Sequence, residues 1–158
     1  MSICSAHPPL RLLQPYAIEP ALNDFSENVP IVTEADYRRL RQLIRRMRYT
    51  LRHGCYVHEL ERKLRRARVV PPQEVPPDVV TMNSRVKMES LAEGETRSVL
   101  LVYPHLGMNR EDYECVLGRL GTALLGRRTG DRIKDACSQP MRIGPVLYQP
   151  EAAGDFYL

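Results

Sequence analysis

The sequence lacks several features that would define its class. Its 158 residues include no Trp, two Phe and four Cys. No stretch approaches the roughly 18 consecutive apolar residues of a membrane span. The first twenty residues have neither the basic start nor the continuous apolar core of a secretory signal. We therefore expect a cytoplasmic protein without membrane attachment, whose core is built mainly from Leu, Val, Ile and Tyr.

The cysteines and histidines also lack the spacing of a metal site. Zinc needs clustered ligands and disulfides need an oxidising compartment. Here the four cysteines are far apart and form no Cys-x-x-Cys pair: Cys4, Cys55, Cys115 and Cys137. No Ser-His-Asp pattern surrounds Ser84 or Ser98. We therefore expect no metal, no cofactor and no catalytic residue.

Positive charge is abundant but confined to one segment. The chain has a net charge of +4. Residues 33–70 carry twelve basic and four acidic residues, a net charge of +8, so the rest of the chain is negative. Such a segment is attracted to nucleic acid or to an acidic protein surface. A solvated helix face with excess Arg would explain the charge equally well.

The first half of the chain predicts an irregular arm followed by a helical hairpin. Residues 1–32 contain five prolines and no periodicity, which indicates an irregular Pro-rich arm. Thr33 is a good helix N-cap, with Asp36 three residues on. Two apolar stripes with helical spacing then follow: Tyr37, Leu40, Ile44, Met47 and Leu51, and Val57, Leu60, Leu64 and Ala67. With Gly54 between them, they predict a basic antiparallel hairpin, a short coiled coil, over residues 33–70.

The second half predicts a small sheet domain. Prolines in residues 71–77 indicate a stiff linker and a domain boundary. Alternating or β-branched runs predict strands at 79–82, 85–88, 97–103, 132–134 and 141–148, and one short helix is predicted at 121–126. The chain is therefore an α+β protein, with an antiparallel sheet over residues 78–158.

Four stretches of this second half resemble one known family. They are residues 76–88 (PPDVVTMNSRVKM), 101–104 (LVYP), 123–126 (ALLG) followed by Gly130-Asp131, and 148–158 (YQPEAAGDFYL). These motifs resemble the Rnk-type regulators of nucleoside diphosphate kinase, which belong with the Gre transcript-cleavage factors in the GreA/GreB superfamily. The resemblance, over residues 33–158, implies an FKBP-like C-terminal domain. It also implies binding to RNA polymerase, with the hairpin directed into the secondary channel.

The resemblance also implies which residues contact the partner. Gre factors are thought to hold a second magnesium ion in the polymerase active centre with acidic residues at the hairpin tip. The predicted tip here, residues 48–55, has no carboxylate. We therefore expect a non-enzymatic regulator that occupies the channel entrance and competes with Gre-type factors without stimulating cleavage. The expected contact residues are Arg45, Arg48, Tyr49, Arg52 and His53 on the hairpin, and Gly118, Arg119 and Leu120 in a loop where relatives usually have Pro.

Two alternatives stay open. The Arg-rich helices could bind nucleic acid nonspecifically through its phosphates, although few aromatic residues are interleaved with the arginines for base stacking. A true cleavage factor could act through Asp24 and Glu27, which lie in an acidic stretch similar to a Gre tip. That stretch precedes the first helix, and the prolines before it disfavour another long helix there. The sequence carries no signal for an oligomeric state.

Overall fold

The computed structural model describes residues 29–47, 55–104, 110–135 and 137–156. Two basic helices precede a five-stranded sheet that carries two shorter helices. The helices are α1 (Glu34–Met47), α2 (Cys55–Arg66), α3 (Arg119–Leu124) and α4 (Pro150–Ala153), and the strands are β1 (Ile31–Thr33), β2 (Arg68–Val70), β3 (Arg85–Ser90), β4 (Thr96–Val102), β5 (Tyr113–Cys115), β6 (Arg132–Lys134) and β7 (Pro140–Tyr148). None of these helices is long and apolar enough to cross a lipid bilayer.

Both helices of the first half lie where the apolar spacing predicts them. Thr33 Oγ1 accepts a hydrogen bond from the Asp36 backbone N–H at 3.0 Å. This satisfies one of the amide donors that a helix leaves unpaired at its start. The described members of the predicted stripes are buried or packed against the core, with Leu40 of α1 and Leu60 of α2 both fully buried. Leu51, the last member of the first stripe, lies outside the described residues. The segment that connects α1 to α2 lies outside the described residues.

A two-stranded sheet closes the base of the helix pair, which the sequence did not predict. Ile31–Thr33 and Arg68–Val70 run parallel, with Ile31 opposite Arg68. The structure thus has strand where an irregular arm was expected before Thr33, and strand where helix was expected up to residue 70. Alternation over three residues is a weak signal, and here the neighbouring helical pattern outweighed it. Pairing with a distant segment, rather than local preference, forms these strands.

The main sheet has the order β5-β4-β3-β7-β6. The predicted strands at 85–88, 97–103, 132–134 and 141–148 are confirmed within a few residues of their ends. The sheet is mixed, however, and the prediction of a purely antiparallel sheet is wrong, because β5 pairs parallel to β4. The predicted strand at 79–82 is also wrong. Val79 forms a single bridge with Arg128, and the chain then turns at Asn83, whose φ is 60°.

The described residues of the second half form two short α-helices instead of the predicted one. Helix α3 begins and ends two residues earlier than expected. Helix α4 was missed, although Pro150 at its first position and Gly154 just after its end are typical helix boundary residues. Gly154 has a φ of 82°, the left-handed conformation in which many helices end.

The two basic helices and the sheet share one hydrophobic core. Leu40 and Ile44 of α1 and Leu60 and Leu64 of α2 belong to the same buried cluster as residues of β3, β4 and α3. Burying a side chain of this size contributes about 1.5–3 kcal/mol. The helix pair is therefore held by the sheet. The antiparallel hairpin, the division into domains and the FKBP-like arrangement stay predictions.

Candidate functional site

One of the five contact residues predicted on the hairpin lies within the described chain. Arg45 is exposed in the last turn of α1. The other four, Arg48, Tyr49, Arg52 and His53, lie outside the described residues, as do Asp24 and Glu27 of the alternative cleavage site.

The outward faces of α1 and α2 are rich in arginine. The exposed members are Arg38, Arg39, Arg45 and Arg46 on α1 and Arg62, Arg65 and Arg66 on α2. Three of them pair with glutamates of their own helix: Arg38 with Glu34, Arg62 with Glu59 and Arg65 with Glu61, at 2.6–3.4 Å. The exposed charged residues are four arginines against Glu34 on α1 and three arginines against Glu59 on α2, so both outward faces stay positive. This surface can attract an anionic partner.

The second predicted contact site is the loop at residues 118–120, where α3 begins. Gly118 is the N-cap residue of α3. Arg119 is partly exposed, and its Nη2 donates a hydrogen bond to Ser138 Oγ at 2.9 Å. Leu120 is only 3% exposed and lies in the core. The loop can therefore offer Gly118 and Arg119 to a partner, whereas the side chain of Leu120 fixes the loop to the body of the protein.

Helix α3 is packed unusually closely against β5. A Cβ atom added to Gly121 would lie 2.0 Å from the backbone oxygen of Cys115, so only glycine fits. One residue on, Thr122 Oγ1 donates to the backbone oxygen of Val116 at 2.7 Å. These contacts hold the helix, and the loop that precedes it, against the sheet edge.

Helix α2 also holds α3, through Lys63. Lys63 Nζ donates to the backbone oxygens of Thr122 at 2.6 Å and of Ala123 at 2.7 Å. Burial, together with the charge of Arg127, holds the pKa of Lys63 well below its usual value. In the sequence, Lys63 is one of the twelve basic residues of segment 33–70 and was not predicted to have a role of its own. Its place next to Leu64, at the border of the apolar stripe, was the available signal that it faces inward.

Helix α1 is tied to the sheet by the buried carboxylate of Asp36. Its Oδ2 accepts a hydrogen bond from the Met82 backbone N–H at 3.2 Å, and its Oδ1 accepts one from Tyr103 Oη at 3.0 Å. Burial raises the pKa of Asp36, and these hydrogen bonds oppose that rise. Burial and the nearby carboxylate also raise the pKa of Tyr103. The arrangement holds a carboxylate between two parts of the fold and leaves it little access to water.

Two of the motifs that carry the family resemblance meet beside Asp36. Thr81 Oγ1 donates to Glu151 Oε2 at 2.7 Å, and Gln149 Nε2 donates to the backbone oxygens of Pro76 and Val79 at 2.9 and 2.8 Å. Burial raises the pKa of Glu151, and the charge of Asp36 contributes to that rise. The polar residues of these motifs therefore join α4 to the turn after Pro77. They are placed to hold the fold together rather than to contact a partner.

The ALLG motif ends at the same junction. Gly126 has a φ of 74°, and an added Cβ would lie 2.8 Å from Cβ of Pro30. Its N–H donates to the Val80 oxygen at 2.8 Å, and its own oxygen accepts from the Ile31 N–H at 3.1 Å. Gly126 thus lies between the strand that precedes α1 and the turn that precedes β3.

The structure therefore defines an α+β protein that presents a basic helix pair and a separate loop on one shared core. Among the described residues, no group of three or more His, Cys, Asp or Glu side chains could hold a metal ion.

Comparison with known proteins identifies the family. The model for the C-terminal part of the transcription elongation factors GreA/GreB matches residues 75–136. The chain is 38% identical over 133 residues to the regulator of nucleoside diphosphate kinase of Escherichia coli K12, an alignment that covers 81% of this chain and 96% of the relative. The relative from Shigella flexneri gives the same values. The chain belongs to the GreA/GreB family, and its similarity to the Rnk-type regulators is confirmed.

A solved structure agrees with this assignment. The prokaryotic transcription elongation factor GreA/GreB from Nitrosomonas europaea superposes with a TM-score of 0.63 at 35% sequence identity. The superposition covers 75% of this chain and 98% of that protein.

Proposed function

We propose that this protein is a non-enzymatic, cytoplasmic regulator that binds RNA polymerase at the entrance of the secondary channel. It competes there with Gre-type factors and does not stimulate transcript cleavage. Membership of the GreA/GreB family supports the choice of partner. The similarity to a protein named as an elongation factor supports it as well.

The observation that carries the proposal is the sequence between the two basic helices. Residues 48–54 read RYTLRHG, with two arginines and no carboxylate. A second magnesium ion is held by carboxylate oxygens, which this segment does not offer, and the arginines repel a cation. Helices α1 and α2 have 14 and 12 residues, so each is only about 20 Å long. If they form the two arms of a hairpin, its end brings positive charge, and no carboxylate, into the channel.

A binding experiment tests the partner. Purified protein should bind core RNA polymerase at about 0.05 M salt and more weakly at about 0.3 M, because exposed charges are screened over about 10 Å at 0.1 M. Arg45→Glu and Arg66→Glu should each weaken binding, whereas Arg142→Ala on β7 should leave it unchanged. Absence of binding at both salt concentrations would refute the proposal.

A cleavage experiment tests the mechanism. Added to a backtracked polymerase complex, the protein should not stimulate RNA cleavage, and in excess it should suppress cleavage by a Gre-type factor. Stimulated cleavage that is lost in Asp24→Asn would instead favour the cleavage factor acting through Asp24 and Glu27.

Nonspecific nucleic-acid binding is the second candidate, because both helices stay positive on their outward faces. Gel shifts with duplex and single-stranded DNA in the absence of polymerase distinguish the two. If the protein is a polymerase-binding regulator, neither DNA should shift in the gel at protein concentrations that saturate the polymerase.

The name of the relatives introduces a further question, since they are regulators of nucleoside diphosphate kinase. An assay of the purified kinase with added purified protein separates a direct effect from one that acts through transcription. A direct effect changes the activity of the purified kinase, whereas an effect through transcription leaves it unchanged.

A further inference from the structure

We infer that Lys63 is a positioning residue: it holds the 118–120 loop in a fixed place relative to α1 and α2, so that helices and loop meet one partner together. The inference rests on the proposed function for the identity of that partner. The placement of the loop by Lys63 stands on the geometry alone.

Helix α3 is short enough to link its two ends rigidly. The helix has six residues, which corresponds to about 9 Å. Its first turn carries the 118–120 loop, and its last turn carries the Thr122 and Ala123 oxygens that accept hydrogen bonds from Lys63. A displacement at one end of so short a helix is transmitted directly to the other end.

The bonds to Lys63 are chemically suited to this role. The last carbonyl groups of a helix have no donor within the helix, and a side-chain donor from elsewhere can satisfy them. Lys63 reaches two such oxygens from α2, at 2.6 and 2.7 Å. The ammonium form carries three N–H bonds and the neutral amine two, so either form can donate to both oxygens, and the contact persists although burial lowers the pKa of Lys63.

Helix α2 is itself firmly placed. Leu60 and Leu64, on either side of Lys63, are at most 1% exposed and belong to the main core. On the other helix, Asp36 bonds Met82 and Tyr103. Lys63 therefore connects the loop to a helix that cannot move independently of the core.

This connection has a consequence for binding. When one partner is contacted by two surfaces, the second contact gains from the high effective concentration that the first one creates. That gain is largest when the two surfaces are held at the spacing that the partner requires. Freeing the loop from α2 should lower the gain without removing any contact residue.

The experiment is a double-mutant cycle on polymerase binding. Lys63→Met keeps the aliphatic part of the side chain and removes the hydrogen-bond donor. We expect it to weaken polymerase binding about tenfold in the wild-type background. In the Arg119→Ala background, where the loop contact is already lost, it should weaken binding less than about twofold. Lys63→Arg, which can still donate to both oxygens, should restore most of the binding. The matched control is Lys87→Met, the same change at an exposed position of β3. Equal losses from Lys63→Met in both backgrounds, or no loss, would overturn the inference.

A second measurement separates this inference from the proposed function. In the free protein, Lys63→Met should accelerate amide hydrogen exchange at residues 118–123 and leave exchange in β3 and β4 unchanged. If the wild type does not bind polymerase but this exchange pattern appears, the proposed partner is wrong and the placement of the loop by Lys63 stands. Unchanged exchange at residues 118–123 would refute the positioning role, whatever the binding result.

Discussion

At the scale of single residues, polar side chains buried between the helices and the sheet decide how the two parts fit. A buried carboxylate is costly unless hydrogen bonds replace its water. Asp36 receives such bonds from Met82 and Tyr103. Lys63 bonds two backbone oxygens in a comparable position on the second helix.

The sequence predicted some of these residues and missed the role of others. The Thr33 cap was predicted because the pattern is local, and it is present. Asp36 was assigned only to the start of its helix, and Lys63 only to the basic surface. The groups that Asp36 and Lys63 contact lie in distant segments of the chain, so a local sequence pattern cannot reveal these contacts. Leu120 was predicted to bind a partner and is buried instead, because α3 begins one residue before it.

The first prediction concerns Asp36 and pH. Burial raises its pKa in the folded state above the ordinary value of 3.8. Such a carboxyl group contributes stability that is fully present below its unfolded pKa and is lost as the pH rises through its folded pKa. Asn cannot ionise. The unfolding free energy of the wild type should therefore fall, relative to that of Asp36→Asn, as the pH rises from about 4 towards neutrality.

Urea denaturation between about pH 4 and pH 7, followed by circular dichroism, measures this difference. Tyr103→Phe is the comparison variant. It removes a hydrogen bond that favours the ionised carboxylate, so its stability should continue to fall up to a higher pH than that of the wild type. Parallel pH profiles for the wild type and Asp36→Asn would contradict the prediction.

The second prediction concerns Gly121. An alanine there would place its Cβ 2.0 Å from the Cys115 oxygen, and both groups are backbone-bound. Although Ala favours a helix over Gly by about 1 kcal/mol, we expect Gly121→Ala to destabilise the protein by about 1–3 kcal/mol. The control is Gly94→Ala, where no atom lies within 4 Å of the added Cβ and the cost comes from a φ of 71° alone. A stabilised Gly121→Ala in chemical denaturation would show that α3 is not packed as described.

At the scale of elements, those with a long repeating pattern in their own sequence could be predicted. Elements that depend on pairing with another segment were harder to predict. Helices α1 and α2 were predicted because apolar residues recur with helical spacing over several turns. Strands β1, β2 and β5 have three residues each and were missed because they depend on their pairing partners. Strand β6 is equally short but was predicted, since the turn residues Gly130-Asp131 precede it. The run Val79–Met82 looked like a strand because it is rich in β-branched residues, but a turn closes there through hydrogen bonds between Thr81 and Ser84.

The third prediction concerns the start of α1. Removing the Thr33 hydroxyl leaves the Asp36 N–H without this acceptor, so Thr33→Ala should lower the unfolding free energy by about 1 kcal/mol. Thr33→Ser keeps the oxygen and should lose less than half as much. Thr96→Ala, at an exposed position of β4, should change stability by less than about 0.5 kcal/mol. Equal stabilities of Thr33→Ala and Thr33→Ser in urea denaturation would show that the hydroxyl does not cap the helix.

At the scale of the whole molecule, the family motifs lie where the two halves meet. Thr81, Gln149, Glu151 and Gly126 all belong to stretches that carry the resemblance, and each contacts a distant part of the chain. Family membership could thus be predicted from residues that build the fold. The sequence predicts the partner-binding surfaces less well, because exposed arginines can bind several kinds of anionic partner.

The fourth prediction concerns the shared core. A fragment comprising residues 71–158 retains the main sheet but loses Leu40, Leu60 and Leu64, which cover it. It also loses the bond from Ile31 to Gly126. We expect this fragment to bind a hydrophobic dye strongly and to unfold with a lower urea midpoint than the full chain. A fragment as stable as the full chain would show that the helices do not complete the core.

The bond from Ile31 to Gly126 has a consequence for biosynthesis. Strand β1 is synthesised before its neighbour Gly126, which follows nearly a hundred residues later in the chain. During synthesis, helices α1 and α2 must therefore wait for that glycine before their base can be completed. Until then, the apolar stripes of the nascent chain lack the partners that cover them in the fold.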